Sequence, residues 1–311
     1  MATLARTEAR IVVVERSATR RPINWGKVVI YAVLIIGALV SICPFIYMLM
    51  TSLKSVGDVI VNNFWPWPPV GAEPPQFQNY PDAIRDASID KQWGVPLVVR
   101  YFANTLIVTV AILLGTLLTS VLTAYALTHI DLPGKNVIFL LILATIMIPN
   151  DLTLVPKVVM MFQFTWPVQW YNSYLALIVP FLVSVFGIFL LRQFFLQIPK
   201  DLFEAARLDG AGHLRYLFSV VVPLSKPAIV TIALLNFIGS WDSFKWPLLV
   251  TRDSSMRVLA IGLQQFQATE GGTNTHWMMA FAAMVVVPVI VLYFFTQQYF
   301  KEGIARTGIK G

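Results

Sequence analysis

Asp242 and Lys245 stand three residues apart in "GSWDSFKWPLLV", inside a run that is otherwise largely apolar. A carboxylate there can accept hydrogen bonds from hydroxyl groups, bind a cation or carry a proton, and an ammonium beside it can keep it ionised or meet an acidic ligand. On a continuous helix this spacing sets the two side chains on one face, where they can pair. A charge at the centre of a membrane helix costs roughly 2.5–3.5 kcal/mol, so Asp242 is expected to face a cavity or a partner and not lipid. Trp241, Asp242 and Lys245 are therefore the candidate pathway residues, with Trp241 and Trp246 also placed to anchor the helix at an interface.

Other reactive groups are sparse. His129, His213 and His276 fall in different loops on opposite sides of the membrane part and are not expected to share a metal. The single cysteine, Cys43, lies in an apolar run, so no disulfide framework is possible and a thiol nucleophile there lacks a polar neighbour. The sequence contains no HExxH, CxxC or GxxxxGK(S/T) pattern. No nucleophile is paired with a base within one span, which argues against a membrane-embedded enzyme. If ATP drives the protein, another chain must bind it.

A second stretch is polar where its surroundings are not: "IPKDLFEAARLDGAGHLRYLFSVVVPLSKP", residues 198–227. Asp201 is expected to cap a helix beginning at Leu202, with Glu204 reaching back in a variant of the capping box. Ala205 and Ala206 make a nearly bare face flanked by Leu202, Phe203 and Leu208, a shape suited to insertion into a groove on another protein. Gly210 and Gly212 allow backbone angles that other residues resist. A second short helix, 213–222, then returns the chain to Pro223 and Pro227. A helix lying on a membrane surface would carry Lys or Arg opposite large apolar residues; a Glu-Ala-Ala turn reads as a docking surface.

The elements that must hold these groups are membrane helices. Of 311 residues 57% are hydrophobic and 13% charged, with a mean hydropathy of +0.70. Average soluble chains have about 45–50% apolar and about 25% charged residues. The net charge of +7 is not gathered into a basic patch with interleaved aromatics, so no nucleic-acid partner is expected. Six runs near 28–50, 100–126, 136–160, 173–195, 227–250 and 277–300 are long enough to cross about 30 Å of hydrocarbon. The first follows Arg20, Arg21 and Lys27 but is too long for a signal core and lacks a cleavage pattern, so it is read as a retained span.

With both termini inside, fifteen of the 23 Lys and Arg residues are cytoplasmic and eight are outside, which satisfies the positive-inside rule. The expected organisation is a basic cytoplasmic tail over 1–27, a first span over 28–50, an extracytoplasmic loop over 51–95 with Trp65 and Trp67 as interfacial anchors, and a core over 96–300. That core holds five further spans and the cytoplasmic segment 199–223, and a tail over 301–311 ends the chain. The second span is rich in Ala, Gly, Ser and Thr, the mark of a helix packed inside a bundle. Pro149, Pro156 and Pro180 interrupt the third and fourth spans, and freed carbonyls there need a protein neighbour or a watery cavity.

"EAARLDGAGHLRYLFSVVVPLSKP" resembles the EAA loop of bacterial ABC importer permeases, with Glu204, Ala205, Ala206, Asp209 and Gly210 in the positions of the motif. In that family the loop is the coupling helix that docks into a cleft on a cytoplasmic ATPase. The likeness extends from about residue 28 to the end. "MIPNDLTLVP", "YLALIVPFLVSVFGIFLLRQFF", "GSWDSFKWPLLV" and "GIARTGIKG" are similar to the carbohydrate-uptake subfamily of MalG type. The resemblance implies an all-α polytopic membrane protein with the type I importer (MetI-like) fold of six transmembrane helices, in the bacterial inner membrane. It implies a second, MalF-like permease, an ATPase dimer carrying ATP and Mg, and an extracytoplasmic solute-binding protein as partners. The chain itself then holds no cofactor and no metal, and the cargo is a sugar, oligosaccharide or related polyol. Relatives usually read Trp-Asn-(Glu/Asp)-Phe-Leu-Trp-Pro where this chain has "WDSFKWP", so Asp242 and Lys245 bear on the substrate. The rival reading is an ion-coupled secondary transporter using Asp242 as its proton or cation site.

Overall fold

The computed structural model describes residues 25–61, 73–85, 94–162, 170–267 and 274–307, without side chains at 265–267 and 299–307. The basic tail as far as residue 24, the Trp65 and Trp67 anchors and residues 308–311 lie outside the described residues. Those described are helical, with no β-strand among them. The chain divides into two units, 1–46 and 47–311. The first holds most of α1 (Trp25–Ser52), a helix apolar all round with its large side chains exposed, as a helix bathed in lipid requires.

The second unit contains α2 (Val56–Ile60), α3 (Asn79–Arg85), α4 (Leu97–His129), α5 (Lys135–Ala144), α6 (Asn150–Met161), α7 (Tyr174–Ile178) and α8 (Val185–Phe195). It continues through α9 (Lys200–Leu208), α10 (His213–Tyr216), α11 (Val222–Leu224), α12 (Lys226–Trp241), α13 (Lys245–Val250), α14 (Leu259–Gln267) and α15 (Thr275–Thr307). The central element is α4, packed against α8 and α12. Its small residues Thr105, Thr109, Thr116, Ser120 and Ala124 are buried, in line with the composition of that span. A Cβ on Gly187 of α8 would lie 2.7 Å from Ser120 Oγ, so this approach of α4 and α8 is one that glycine permits.

Among the described residues four helices are long and apolar enough to cross a membrane, and up to six if each of two bent pairs counts as one span. The first bent pair, Lys135–Met147 with Asn150–Met161, turns by 95° at the residues before and at Pro149. The interruption expected at Pro149 in the run over 136–160 is thus present as a sharp bend. The second, His213–Leu224 with Lys226–Trp241, turns by 80° at the buried Ser225. The fourth span carries a 3-10 turn at Val179–Phe181 around Pro180. Its carbonyls are met from α4, where Thr116 Oγ1 donates to Phe181 O at 2.9 Å and Thr119 Oγ1 to Leu182 O at 2.6 Å. A proline break inside a membrane protein survives because neighbouring hydroxyls take up the freed groups.

The fifth span is corrected. The expected helix over 227–250 stops at Trp241 and restarts at Lys245. Its first part has 16 residues, about 24 Å at 1.5 Å each, and does not by itself span 30 Å of hydrocarbon.

At the end of the unit remote from α9, side chains hold the segment after α13. Asn104, fully buried, donates to Ser255 O and Arg257 O at 2.8 Å each and accepts from the Tyr174 hydroxyl at 2.6 Å. Asn172, at φ 58°, accepts from the Arg252 and Asp253 amides at 2.9 and 3.1 Å and donates to the Asp253 carboxylate at 2.7 Å. The backbone from 250 to 259 is thus tied to α4 and to the start of α7.

Candidate functional site

One candidate site is the turn after α9. The helix begins at Lys200 behind Pro199, which has φ −57° and no side-chain capping bond. Asp201 is thus not the cap expected of it and the capping box with Glu204 does not form. Proline fixes the entry two residues earlier, and Asp201 and Glu204 instead place negative charge near the helix N-terminus, where the dipole favours it. The C-terminus closes as a Schellman motif. Ala211 N–H donates to Ala206 O at 2.8 Å, Gly210 N–H donates to Arg207 O at 3.0 Å, and Gly210 stands at φ +75°.

Helical geometry separates the two alanines. Phe203 and Ala206 turn inward onto the core formed by Val121, Tyr125, Leu191 and Phe195. Asp201, Glu204, Ala205 and Leu208 face out, with Leu208 90% exposed. The expected bare face of Ala205 plus Ala206 is corrected accordingly, because successive residues on a helix point about 100° apart.

Phe203 enters a ring cluster built from three elements. His129 of α4 lies 6.2 Å from it, and His213 and Tyr216 of α10 lie 5.3 and 5.0 Å from it, centroid to centroid. Tyr125 stacks on His129 at 4.8 Å and shares a hydrogen bond of 2.9 Å with His213 Nδ1. Sequence separation hid this cluster: its members range from 125 to 216, and their shared surroundings emerge only when α9 folds against α4. Phe203→Ala is expected to raise amide hydrogen exchange across 200–211 at least tenfold, and Tyr125→Phe, which deletes one hydrogen bond of about 1 kcal/mol, by about fivefold. Unchanged exchange in both, measured by mass spectrometry, removes the cluster as the anchor of α9.

The other candidate site is a cleft of about 950 Å³ bordered by the break at Pro149, the turn at Pro180 and the interruption between α12 and α13. Its charged lining is Asp151, Lys157, Asp242 and Lys245. Asp242 and Lys245 do not pair as expected. The helix ends between them, and Lys245 Nζ lies 3.7 Å from Asp151 Oδ1 across the cleft. Both placements run against local electrostatics: Asp242 caps the C-terminus of α12, where the dipole disfavours an anion, and Lys245 opens α13, where it disfavours a cation. Violations of this kind concentrate at functional positions.

Trp241 is corrected out of the pathway. It is 1% exposed, stacks on Phe237 at 5.3 Å and donates its indole N–H to Val285 O of α15 at 3.0 Å, so it belongs to the core between α12 and α15. Trp246 borders the cleft instead, its N–H donating to Ala176 O at 2.9 Å. Asp151 was legible in principle as a charge inside an apolar, proline-broken run, but its partner was not.

Residues 117–306 match the family described as the binding-protein-dependent transport system inner membrane component. The chain is 36% identical over 211 residues to the arabinooligosaccharides transport system permease protein AraQ of Halalkalibacterium halodurans, covering 68% of this chain and 74% of that one. It is 31% identical over 291 residues to the sn-glycerol-3-phosphate transport system permease protein UgpE of Rhizobium meliloti, covering 93% and 98%. Among solved structures it is similar to a bacterial ABC transporter involved in the import of the acidic polysaccharide alginate, with a TM-score of 0.75 and 26% identity over 89% of this chain and 96% of that one. An α-helical body with a proline-broken polar cleft and a turn from Glu204 to Gly210 after a short helix, matched over well over half its length, places the chain in the family of binding-protein-dependent inner membrane permeases.

Proposed function

We propose that this permease carries a sugar, an oligosaccharide or a related polyol into the cell as one half of an ATP-driven pathway. The relatives named for arabinooligosaccharides and sn-glycerol-3-phosphate, and the structural neighbour that imports alginate, support that class of cargo. The observation that carries the reading is the pairing of two surfaces in one chain. An outward-facing turn built on Asp201, Glu204, Ala205, Leu208, Asp209 and Gly210 is joined through Phe203 to the bundle, and that bundle encloses a cleft with Asp242 and Lys245 in its wall.

In this reading the chain crosses the membrane six times with both termini cytoplasmic, each bent pair counting as one span. Segment 199–223 docks on an ATPase dimer that holds ATP and Mg. A second, MalF-like permease closes the other side of the cleft, and a solute-binding protein delivers cargo from outside, where the loop over 51–95 meets it. Nucleotide favours one state of the ATPase, α9 follows it, and the ring cluster passes the movement to α4; the coupling is a shift between two populated states. Asp242 accepts hydrogen bonds from cargo hydroxyls, and Lys245, with Asp151 3.7 Å away, contributes to the charge of the wall.

The complex reconstituted in proteoliposomes is expected to take up labelled arabinooligosaccharide only with ATP and binding protein, and to continue in the presence of an uncoupler. Uptake that collapses with the uncoupler while ATP is present makes the chain an ion-coupled carrier instead. Asp242→Asn with Lys245→Leu is expected to shift the apparent KM about tenfold, the scale of one charge-assisted hydrogen bond, at unchanged expression. Parental kinetics in that variant take both residues out of the pathway.

A further inference from the structure

A second cavity, of about 250 Å³, lies among α4, α7, α12 and α13 and shares Phe181, Val183, Ser243 and Trp246 with the cleft. The two differ in charge. All four charged groups line the cleft, and none lines the smaller chamber. The chamber's polar groups are Thr105, Ser184, Asn236, Ser240 and Ser243. Thr105 spends its hydroxyl on Tyr101 O and the Leu259 amide, at 2.8 and 2.9 Å. The others keep capacity. Ser184 Oγ accepts from Gly187 N–H at 3.1 Å and retains its proton, and Asn236 donates to Ile232 O at 2.9 Å and retains its carbonyl. Among the described residues neither Ser240 Oγ nor Ser243 Oγ has a hydrogen-bond partner.

Gly239 adds an independent observation. It sits inside α12, where glycine costs about 1 kcal/mol relative to alanine, and a Cβ built on it would meet nothing within 4 Å. Close packing among the described residues therefore does not account for the glycine. What the missing side chain leaves is room in the chamber, whose wall Gly239 forms.

We propose that this chamber is a subsite for one uncharged sugar ring and that it excludes carboxylate- and phosphate-bearing units; the proposal rests on the sugar-import reading above. Its volume of about 250 Å³ is that of roughly eight waters at about 30 Å³ each, enough for a single ring. Serine hydroxyls and an amide carbonyl offer both donors and acceptors to ring hydroxyls, and Phe181 with Trp246 offers apolar surface to the ring's C–H face. An anion entering would lose its hydration with no cation in the wall to replace it, a cost a neutral ring does not meet. Selection at this point falls to Asn236, Gly239, Ser240 and Ser243, and it favours neutral oligosaccharides over cargo such as alginate or sn-glycerol 3-phosphate.

The test uses the assembled complex in two arms. In a Cys43→Ala background, Ser240→Cys is labelled with 2-hydroxyethyl and with 2-sulfonatoethyl methanethiosulfonate, each rate corrected for its reaction with a free thiol. The neutral reagent is expected to react at least tenfold faster; equal rates, or a faster sulfonate, overturn the exclusion of anions. Gly239→Leu, which puts a bulky apolar side chain on the chamber wall at a position where a Cβ meets nothing within 4 Å, is expected to cut uptake of a neutral oligosaccharide at least tenfold while ATPase and second permease still co-purify. Unchanged uptake overturns the subsite, and so does loss of co-purification, which would make Gly239 a contact between subunits. A parent complex that imports no sugar at all refutes the sugar-import reading, while the labelling ratio still judges the chamber on its own.

Discussion

Gly210→Val is expected to leave the permease inserted and assembled with its ATPase but to cut ATP-dependent transport by roughly 5- to 150-fold. That range corresponds to about 1–3 kcal/mol, the cost of holding a residue with a side chain in a sparsely populated backbone region. The origin of the loss is conformational and not steric. Gly210 stands at φ +75°, yet a Cβ placed on it meets nothing within 4 Å. The order of severity among substitutions follows from that distinction: Asn, which visits the left-handed region, is nearly neutral, Ala is intermediate, and β-branched Val is worst. A residue that leaves the left-handed region at 210 also opens the Schellman closure of α9, because the bonds to Arg207 O and Ala206 O depend on the chain reversing there. Equal transport by the Asn and Val variants, measured in proteoliposomes at matched expression, would sink the argument.

The largest loss of stability is expected from Asn104→Leu. Leucine matches asparagine in the number and branching of its side-chain heavy atoms and is at home in a membrane helix, so composition alone predicts tolerance. The structure predicts the opposite. Asn104 is fully buried and makes three side-chain hydrogen bonds, two to backbone carbonyls at 255 and 257 and one from Tyr174. Replacing it leaves these groups with one partner fewer, at about 1–3 kcal/mol for each that stays buried and unsatisfied. Arg100 Nε still donates to Ser255 O at 3.0 Å, so that carbonyl is only partly orphaned. The expected total is about 3–5 kcal/mol, seen as a lowered melting temperature in detergent and as early proteolysis within 250–259. Tyr174→Phe removes one bond and should cost about 1 kcal/mol. A melting temperature for Asn104→Leu within a degree of the parent refutes the role assigned to this side chain.

What the sequence by itself determined is what depends on neighbouring residues. Long apolar runs require helices in lipid because no other local structure satisfies their backbone groups, so the helical membrane class could be read from composition. The turn at Gly210 was legible for the same reason, since a left-handed residue closing a short helix is a local event that glycine announces. Pro149 and Pro180 announced breaks, and breaks are what the third and fourth spans contain. Tertiary structure decided where side chains point and whom they meet. Spacing paired Asp242 with Lys245, but α12 ends between them and Asp151, ninety-four residues upstream of Lys245, takes the ammonium. Its place beside Asp242 put Trp241 in the pathway, whereas packing against α15 holds Trp241 in the core and Trp246 borders the cleft. The ring cluster around Phe203 and the clamp at Asn104 join residues tens to about 150 positions apart. Periodicity reports which residues share a helix face; which faces come together depends on burial and hydrogen bonding summed over the whole bundle, and no local pattern carries that sum.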